Sequence, residues 1–220
     1  MLDVDGDSCY ITYMNDTPAS VESHYSDEQK TQMLSIARQI ITAILSNNQV
    51  GLPDPAQFDE YLQETRGCFV TMHHRHGQLR GCIGTFETDT PLIHTLVRMS
   101  ASTLKDPRFA WNQPVVLAEI NDIHLEISVL TPMAPFDNPT DLRLGVDGIY
   151  IKDPKSERSG CFLPHVPIEA GWDVEETLSQ CCGQKMGIEP DGWKTRDDLE
   201  FYRFQADVFG EAAPGVLKKD

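Results

Sequence analysis

The chain has 220 residues and 40% of them are hydrophobic, which is enough apolar material for one large domain or two small ones. Its 34 acidic against 18 basic residues give a formal net charge of −16, and a field of that sign repels phosphate backbones, which argues against a nucleic-acid partner. No stretch approaches the roughly 18 consecutive apolar residues of a membrane helix, so no membrane partner is expected.

The start of the chain indicates the compartment. Residues 1–5 are acidic and lack the basic start and apolar run of a secretory signal. The six cysteines show no compact disulfide framework, and without a C-x-x-C pair no metal site is expected. We therefore expect a cytoplasmic protein with reduced thiols.

The N-terminal third predicts a tail followed by helices. Residues 1–25 are polar, acidic and without periodicity, and we interpret them as an acidic N-terminal tail. Ser26 and Gln29 have the spacing of a capping box, and apolar residues at 3.6-residue spacing then predict a helix over 27–47. A short helix is expected around 55–64.

A hairpin and a second helix follow. Segments 68–75 and 79–86 read as strands around a turn at 76–78, with a two-residue type II′ loop through Gly77. Thr90 as N-cap and Pro91 at the first position predict a helix that stops at Pro107. Strict alternation of apolar and polar residues over 123–129 predicts a strand with one solvent-exposed face.

The remaining segments complete an α+β pattern. Two or three short strands are expected over 142–163, a helix with an Asp173–Glu176 capping box ending near Gly183, and one last strand over 201–209. The regular βαβ order of a doubly wound sheet is missing, so the fold class is α+β with a mainly antiparallel sheet and packed helices. The expected domain covers 26–211, and 212–220 form a C-terminal tail.

The segment Leu79-Arg80-Gly81-Cys82-Ile83-Gly84 is the most informative in the chain. Two glycines within a strand are costly and imply a bulge, a bend or the close approach of a backbone or a ligand. With the two-residue loop, His73 pairs with Cys82 and Arg75 with Arg80. The cations would then lower the pKa of the thiol. The alternative is that Cys82 is a small buried hydrophobe, as free cysteines usually are.

Other segments carry alternative interpretations. Arg108, after Asp106-Pro107, either clamps a carboxylate or phosphate or forms a salt bridge with Asp106 at the helix end. The segment 163–167 is predicted to be a stiff loop. It either lines a pocket or, as we favour, is simply anchored by aromatic packing. Neither the histidines at 73, 74 and 76 nor Cys181-Cys182 favours a metal site, because adjacent side chains diverge on a strand and on a helix.

The ordered set of motifs resembles the AMMECR domain family, also known as AmmeMemoRadiSam system protein A. The resemblance runs from about Gly67 to Glu211. It rests on Phe69-Val70-Thr71, Leu79 to Gly84, Asp106-Pro107-Arg108-Phe109, Glu126 to Leu130, Gly148-Ile149, Leu163-Pro164, Gly171-Trp172-Asp173 and Lys185 with Gly187. The chain departs from the family pattern at Ala110-Trp111, which replaces a proline-rich step, at Met186 in place of alanine and at His165 in place of glutamine.

The resemblance implies an AMMECR-like fold with a smaller lobe beside the main one. It also implies association with a Memo-like protein and a radical SAM protein, without an established reaction. By resemblance, the site residues are Arg80, Gly81, Cys82, Gly84, Asp106 and Arg108.

Two functions remain open at the level of sequence. The first is a small-ligand or partner-binding component. The second is a cysteine-dependent enzyme in which Cys82 is the nucleophile or sulfur carrier, His73 the base, and Arg80 and Arg108 hold an anionic small molecule. The sequence identifies no cofactor, since it lacks a nucleotide-binding glycine fingerprint, a Walker motif and a radical SAM cysteine triad.

Overall fold

The computed structural model describes residues 23–86 and 89–211. The expected tails therefore lie outside the described residues, except for 23–25. Those three residues are docked: Ser23 Oγ and the His24 backbone N–H donate to Asp207 Oδ2 at 2.7 and 2.9 Å. No helix in this described part is both long and apolar enough to cross a bilayer.

Helix α1 (Asp27–Leu45) begins with the predicted capping box. Ser26 Oγ accepts from the Gln29 N–H, while the Gln29 side chain accepts from the Ser26 N–H at 2.8 Å. Met33, Ala37 and Ile41 line its buried face at helical spacing. A 3₁₀ turn (Pro55–Gln57) and helix α2 (Glu60–Gln63) follow.

The first lobe is built on an antiparallel sheet of order β2-β1-β3-β8. Its strands are β1 (Cys68–His74), β2 (Leu79–Thr85), β3 (Ile123–Leu130) and β8 (Ala206–Gly210). Helices α1 and α3 (Leu92–Thr103) contact the same sheet. This inner face is apolar and includes the buried side chains of Val70, Met72, Leu125, Ile127 and Phe209.

Helix α3 begins one residue later than predicted, with Pro91 rather than Thr90 at its N-cap. The chain continues through helix α4 (Pro107–Ala110) and a 3₁₀ segment (Leu117–Asp122) into β3.

The second lobe holds the other antiparallel sheet, of order β4-β7-β5-β6. Its strands are β4 (Ala134–Pro135), β5 (Gly148–Asp153), β6 (Arg158–Phe162) and β7 (Glu200–Phe204). The helices are α5 (His165–Ala170), α6 (Val174–Gln180) and α7 (Gly192–Thr195), with a 3₁₀ turn at Pro139–Asp141 and a π-helical turn at Cys181–Met186. They enclose a separate apolar core that includes Ile149, Ile151, Leu178, Cys181 and Trp193.

The α+β class with a mainly antiparallel arrangement is confirmed, but several local predictions were wrong. The last strand is two strands, β7 and β8, which belong to different sheets and are separated by Gln205. The expected stiff loop at 163–167 instead begins helix α5 at His165. The Asp173 side chain accepts from the Glu176 N–H, but the reciprocal bond of a capping box is not formed.

Candidate functional site

The β1–β2 hairpin has a different register from the predicted one. Thr71 lies opposite Cys82, and the register shifts between Met72 and His73, so that His73 lies opposite Leu79. The pairings of His73 with Cys82 and of Arg75 with Arg80 were therefore wrong.

The loop of the hairpin explains the shift. The His74 N–H donates to the Gln78 carbonyl at 2.7 Å, which closes a three-residue loop in place of the expected two-residue one. Gly77 adopts φ of 82° within it. Because the strands start from a different closing pair, Arg80 becomes the extra residue of a bulge and Cys82 moves next to Thr71.

Cys82 is half-buried and held from two sides. Its Sγ lies 3.1 Å from Thr71 Oγ1, and its backbone N–H donates to Asp106 Oδ2 at 2.9 Å. Burial raises the pKa of the thiol, and the hydrogen bond with Thr71 and the charge of Arg108 oppose that effect without overcoming it. The direction is opposite to that expected for an activated thiolate.

Asp106 is a buried anchor for the segment that follows α3. Its carboxylate is 2% exposed and accepts from the N–H groups of Cys82 and Arg108 and from the Arg108 guanidinium. Burial alone would raise the pKa of Asp106, but these hydrogen bonds hold it below its usual value. Arg108 thus forms the helix-end salt bridge, although its side chain is 56% exposed.

Arg80 is also committed to partners within the chain. It forms a bidentate ion pair with Glu119 at 2.9 and 3.2 Å and donates to the carbonyls of Gln113 and Pro114. Its side chain is only 12% exposed. The guanidinium therefore ties the 113–119 segment to β2.

The two glycines permit close packing inside the protein. A Cβ on Gly81 would lie 2.6 Å from the Thr103 carbonyl oxygen of α3, and one on Gly84 would lie 2.2 Å from the Phe69 ring. Gly81 therefore allows α3 to approach the inner face of β2, and Gly84 allows an aromatic ring to cover the outer face.

The outer face of the first sheet brings polar residues into one row. Cys82 of β2, Thr71 of β1 and Glu126 of β3 are successive cross-strand neighbours. Among the described residues, nothing donates a hydrogen bond to the Glu126 carboxylate or pairs with it. Burial raises the pKa of Glu126, and the charge of Glu169 in α5 raises it further.

A second row on the same face contains imidazoles. His73 lies opposite His124, two residues along the strands from Thr71 and Glu126. Burial and the charge of His124 lower the pKa of His73. His124 Nε2 is a buried atom without a hydrogen-bond partner within the described range. In α5, which carries Glu169, burial lowers the pKa of His165 and the charge of Glu169 raises it.

The sequence interpretation missed Thr71, His124 and Glu126 as site residues. The alternation of β3 already placed His124 and Glu126 on its wet face. That Glu126 falls in one cross-strand row with Thr71 and Cys82, and His124 in the next row, depends on the order of the strands, which single-strand periodicity does not contain.

The structure gathers the predicted site residues only in part. Cys82, Asp106, Arg108 and the two glycines lie together, whereas His73 lies farther along the strand. No group of three His, Cys, Asp or Glu side chains within residues 23–86 and 89–211 is arranged to hold a metal ion. Cys181 and Cys182 are buried, and burial raises the pKa of both thiols.

Comparison with known proteins gives consistent matches over most of the chain. The sequence profile of the AMMECR1 family matches residues 34–209. Protein MJ0810 of Methanocaldococcus jannaschii is 38% identical over 196 residues, which cover 85% of this chain and 92% of that protein. A protein of Methanothermobacter thermautotrophicus is 39% identical over 193 residues, covering 84% and 95%. The crystal structure of the uncharacterized protein PH0010 from Pyrococcus horikoshii has a TM-score of 0.74 at 33% identity, over 86% of this chain and 94% of that one.

Proposed function

This chain belongs to the AMMECR1 family, and we propose that it is a binding component that receives a small polar ligand, or a polar group of a partner protein, on the outer face of its first sheet. The Glu126 carboxylate carries the proposal. Burial, and then the charge of Glu169, raise the pKa of this half-buried carboxylate, and groups perturbed in this way are concentrated at functional sites.

The neighbouring groups support a binding role. Thr71 Oγ1, already in contact with Cys82 Sγ, offers a hydroxyl beside Glu126, and His124 Nε2 adds an unsatisfied nitrogen two residues away on the same strand. A ligand that donates to the carboxylate would satisfy a group that folding leaves without a partner.

The charges of the site do not favour an anionic ligand. The Arg80 and Arg108 guanidiniums are paired with Glu119 and Asp106. An anion would have to compete with those carboxylates, and it would also meet the charge of Glu169 near Glu126.

The alternative of a cysteine-dependent enzyme has weaker support. A nucleophilic cysteine acts as a thiolate, and burial raises the pKa of Cys82. The proposed base, His73, lies opposite Leu79 rather than Cys82. The binding component would act with a Memo-like protein and a radical SAM protein, in keeping with the family resemblance.

Calorimetric titration with the Memo-like protein of the same genome tests the partner-binding form of the proposal. We expect Glu126→Gln to weaken binding about tenfold, the effect of roughly 1.4 kcal/mol. Glu60→Gln, which neutralises an exposed carboxylate on α2, is the matched control and should leave binding unchanged.

Native mass spectrometry of the protein purified from its own cells tests the small-ligand form, since a bound ligand adds mass that Glu126→Gln should remove. Equal ligand content and equal partner affinity in Glu126→Gln and the unchanged protein would refute the proposal. If Cys82→Ser abolished the turnover of the system formed with the partner proteins but still bound its partner, the cysteine-dependent enzyme would be favoured instead.

A further inference from the structure

A small cavity lies at the end of β3. It has a volume of about 230 Å³ and is lined by residues from three segments, 24–25, 61–66 and 129–131. The first segment is held in place by Asp207, whose carboxylate accepts from Ser23 and His24. The volume is below the roughly 300–1,000 Å³ of sites that hold drug-sized ligands, so a ligand of this cavity would be smaller.

One half of the cavity is apolar. The centroids of the Tyr25 and Tyr61 rings lie 5.8 Å apart, and Val129 and Leu130 add aliphatic side chains from β3. The Tyr61 hydroxyl donates to Gln32 Oε1 of α1 at 2.6 Å, so its hydrogen bond is already formed. An apolar group of a ligand could therefore contact these rings without leaving the Tyr61 hydroxyl unpaired.

The other half of the cavity carries one charge of each sign. Glu64 and Arg66 both line it, and Arg66 Nη2 lies 2.8 Å from Glu64 Oε2. The Glu64 side chain is 49% exposed, so solvent screens this ion pair and separating the two charges costs little. The guanidinium also contacts Tyr25: burial raises the pKa of Tyr25, and the charge of Arg66 and its hydrogen bond to the hydroxyl oppose the rise.

A ligand with a single charge fits this pair poorly. An anion that paired with Arg66 would leave Glu64 without its cation and would add to a chain of formal charge −16. A cation that paired with Glu64 would leave Arg66 without its carboxylate. A zwitterion gives each of the two side chains an opposite charge again, provided that its own charges are close together.

We propose that the cavity binds a free α-amino acid with an apolar side chain. Its carboxylate would accept from Arg66, its ammonium group would donate to Glu64, and its side chain would lie against Tyr25 and Tyr61. The two charges of an α-amino acid are attached to one carbon atom, which matches two side chains that are in contact. The terminus of a peptide carries only one of these charges, so the free amino acid is the better fit.

Isothermal titration calorimetry of the full chain with L-leucine tests the proposal, with L-phenylalanine as a larger apolar member of the class. For a ligand of this size we expect a dissociation constant of about 0.1–1 mM. Two fragments of leucine are matched probes, since 4-methylpentanoate lacks the ammonium group and 3-methylbutylamine lacks the carboxylate. Each fragment should bind at least about tenfold more weakly than L-leucine.

Two variants assign the charges of the ligand. Arg66→Gln should bind L-leucine about tenfold more weakly and no better than 3-methylbutylamine, whereas Glu64→Gln should bind L-leucine no better than 4-methylpentanoate. Glu60→Gln neutralises an exposed carboxylate outside the cavity and should bind L-leucine like the unchanged chain. Urea unfolding checks that all three variants are folded, and the fragment series on the unchanged chain does not depend on them.

Three results would each overturn the proposal. They are the absence of binding of both amino acids up to about 10 mM, an affinity for either fragment equal to that for L-leucine, and an unchanged L-leucine affinity in Arg66→Gln or Glu64→Gln. None of these results bears on the outer face of the first sheet, because Glu126 and its neighbours there do not line the cavity.

Discussion

Replacement of Asp106 by alanine should destabilise the first lobe far more than replacement of its partner Arg108 by glutamine. Asp106 is 2% exposed and accepts from two backbone N–H groups, those of Cys82 and Arg108. The Arg108 guanidinium is 56% exposed, so solvent screens its side of the ion pair.

The magnitudes follow from the groups that lose their partners. An orphaned buried donor costs about 1–3 kcal/mol, so Asp106→Ala, which orphans the Cys82 and Arg108 amides, should lower the free energy of unfolding by about 3–4 kcal/mol. Arg108→Gln leaves those amides satisfied by the carboxylate and should cost at most about 1 kcal/mol.

Urea unfolding at pH 7 measures both changes. Asp59→Ala is a suitable control, since Asp59 stands at a helix N-cap without forming a side-chain cap. The hydrogen bonds hold the pKa of Asp106 below that of the unfolded chain, so the stabilisation is complete above about pH 4 and disappears as the pH falls through the lower, native value. Equal costs for Asp106→Ala and Arg108→Gln would refute the reasoning that the backbone amides carry the effect.

Three further changes have defined outcomes. Gly84→Ala should lower the free energy of unfolding by about 1–3 kcal/mol, since the new Cβ would lie 2.2 Å from an aromatic ring. Cys82 should react with iodoacetamide at pH 7 more slowly than free cysteine, because burial raises the pKa of its thiol. Glu126→Gln should raise the melting temperature at pH 7 but not near pH 4, because burial raises the pKa of Glu126 and its ionisation therefore opposes folding only above the pKa of the unfolded chain.

Each of these outcomes has its own check. Gly51→Ala adds a methyl group where nothing lies within 4 Å, so a similar loss in both glycine variants would contradict the packing argument. Peptide-resolved mass spectrometry separates the labelling of Cys82 from that of the other thiols. Labelling of Cys82 faster than that of free cysteine would contradict the raised pKa and support Cys82 as a nucleophile. A lower melting temperature of Glu126→Gln at pH 7 would mean that the carboxylate has a partner that stabilises the fold.

Local signals in the sequence were sufficient for most helices and strands. The capping box at Ser26 and the apolar spacing behind it locate α1, and the alternation of β3 locates a half-buried strand. The division of the last strand was missed because periodicity continues from β7 into β8 across Gln205. Which sheet a strand joins is a long-range property that no local pattern contains.

The site was predictable in its members but not in its arrangement. The motif pointed to Cys82, Asp106 and Arg108, which the structure places in contact. The loop length, three residues rather than two, together with the bulge at Arg80, decided which side chain lies opposite Cys82 and moved its partner from His73 to Thr71 on the same face. Burial raises the pKa of Glu126 and Glu169 in the other lobe raises it further, and both causes depend on the tertiary structure.

The two passages of the chain between the lobes lie side by side. One leaves β3 at Thr131 and the other returns at Gln205, and each residue donates its backbone N–H to the other, at 2.9 Å to the Gln205 carbonyl and 2.8 Å to Thr131 Oγ1. Because each passage bonds to the other, the two sheets are joined here by a pair of hydrogen-bonded segments. A change in the angle between the sheets would alter the separation of Glu126 from Glu169, and with it the contribution of Glu169 to the pKa of Glu126.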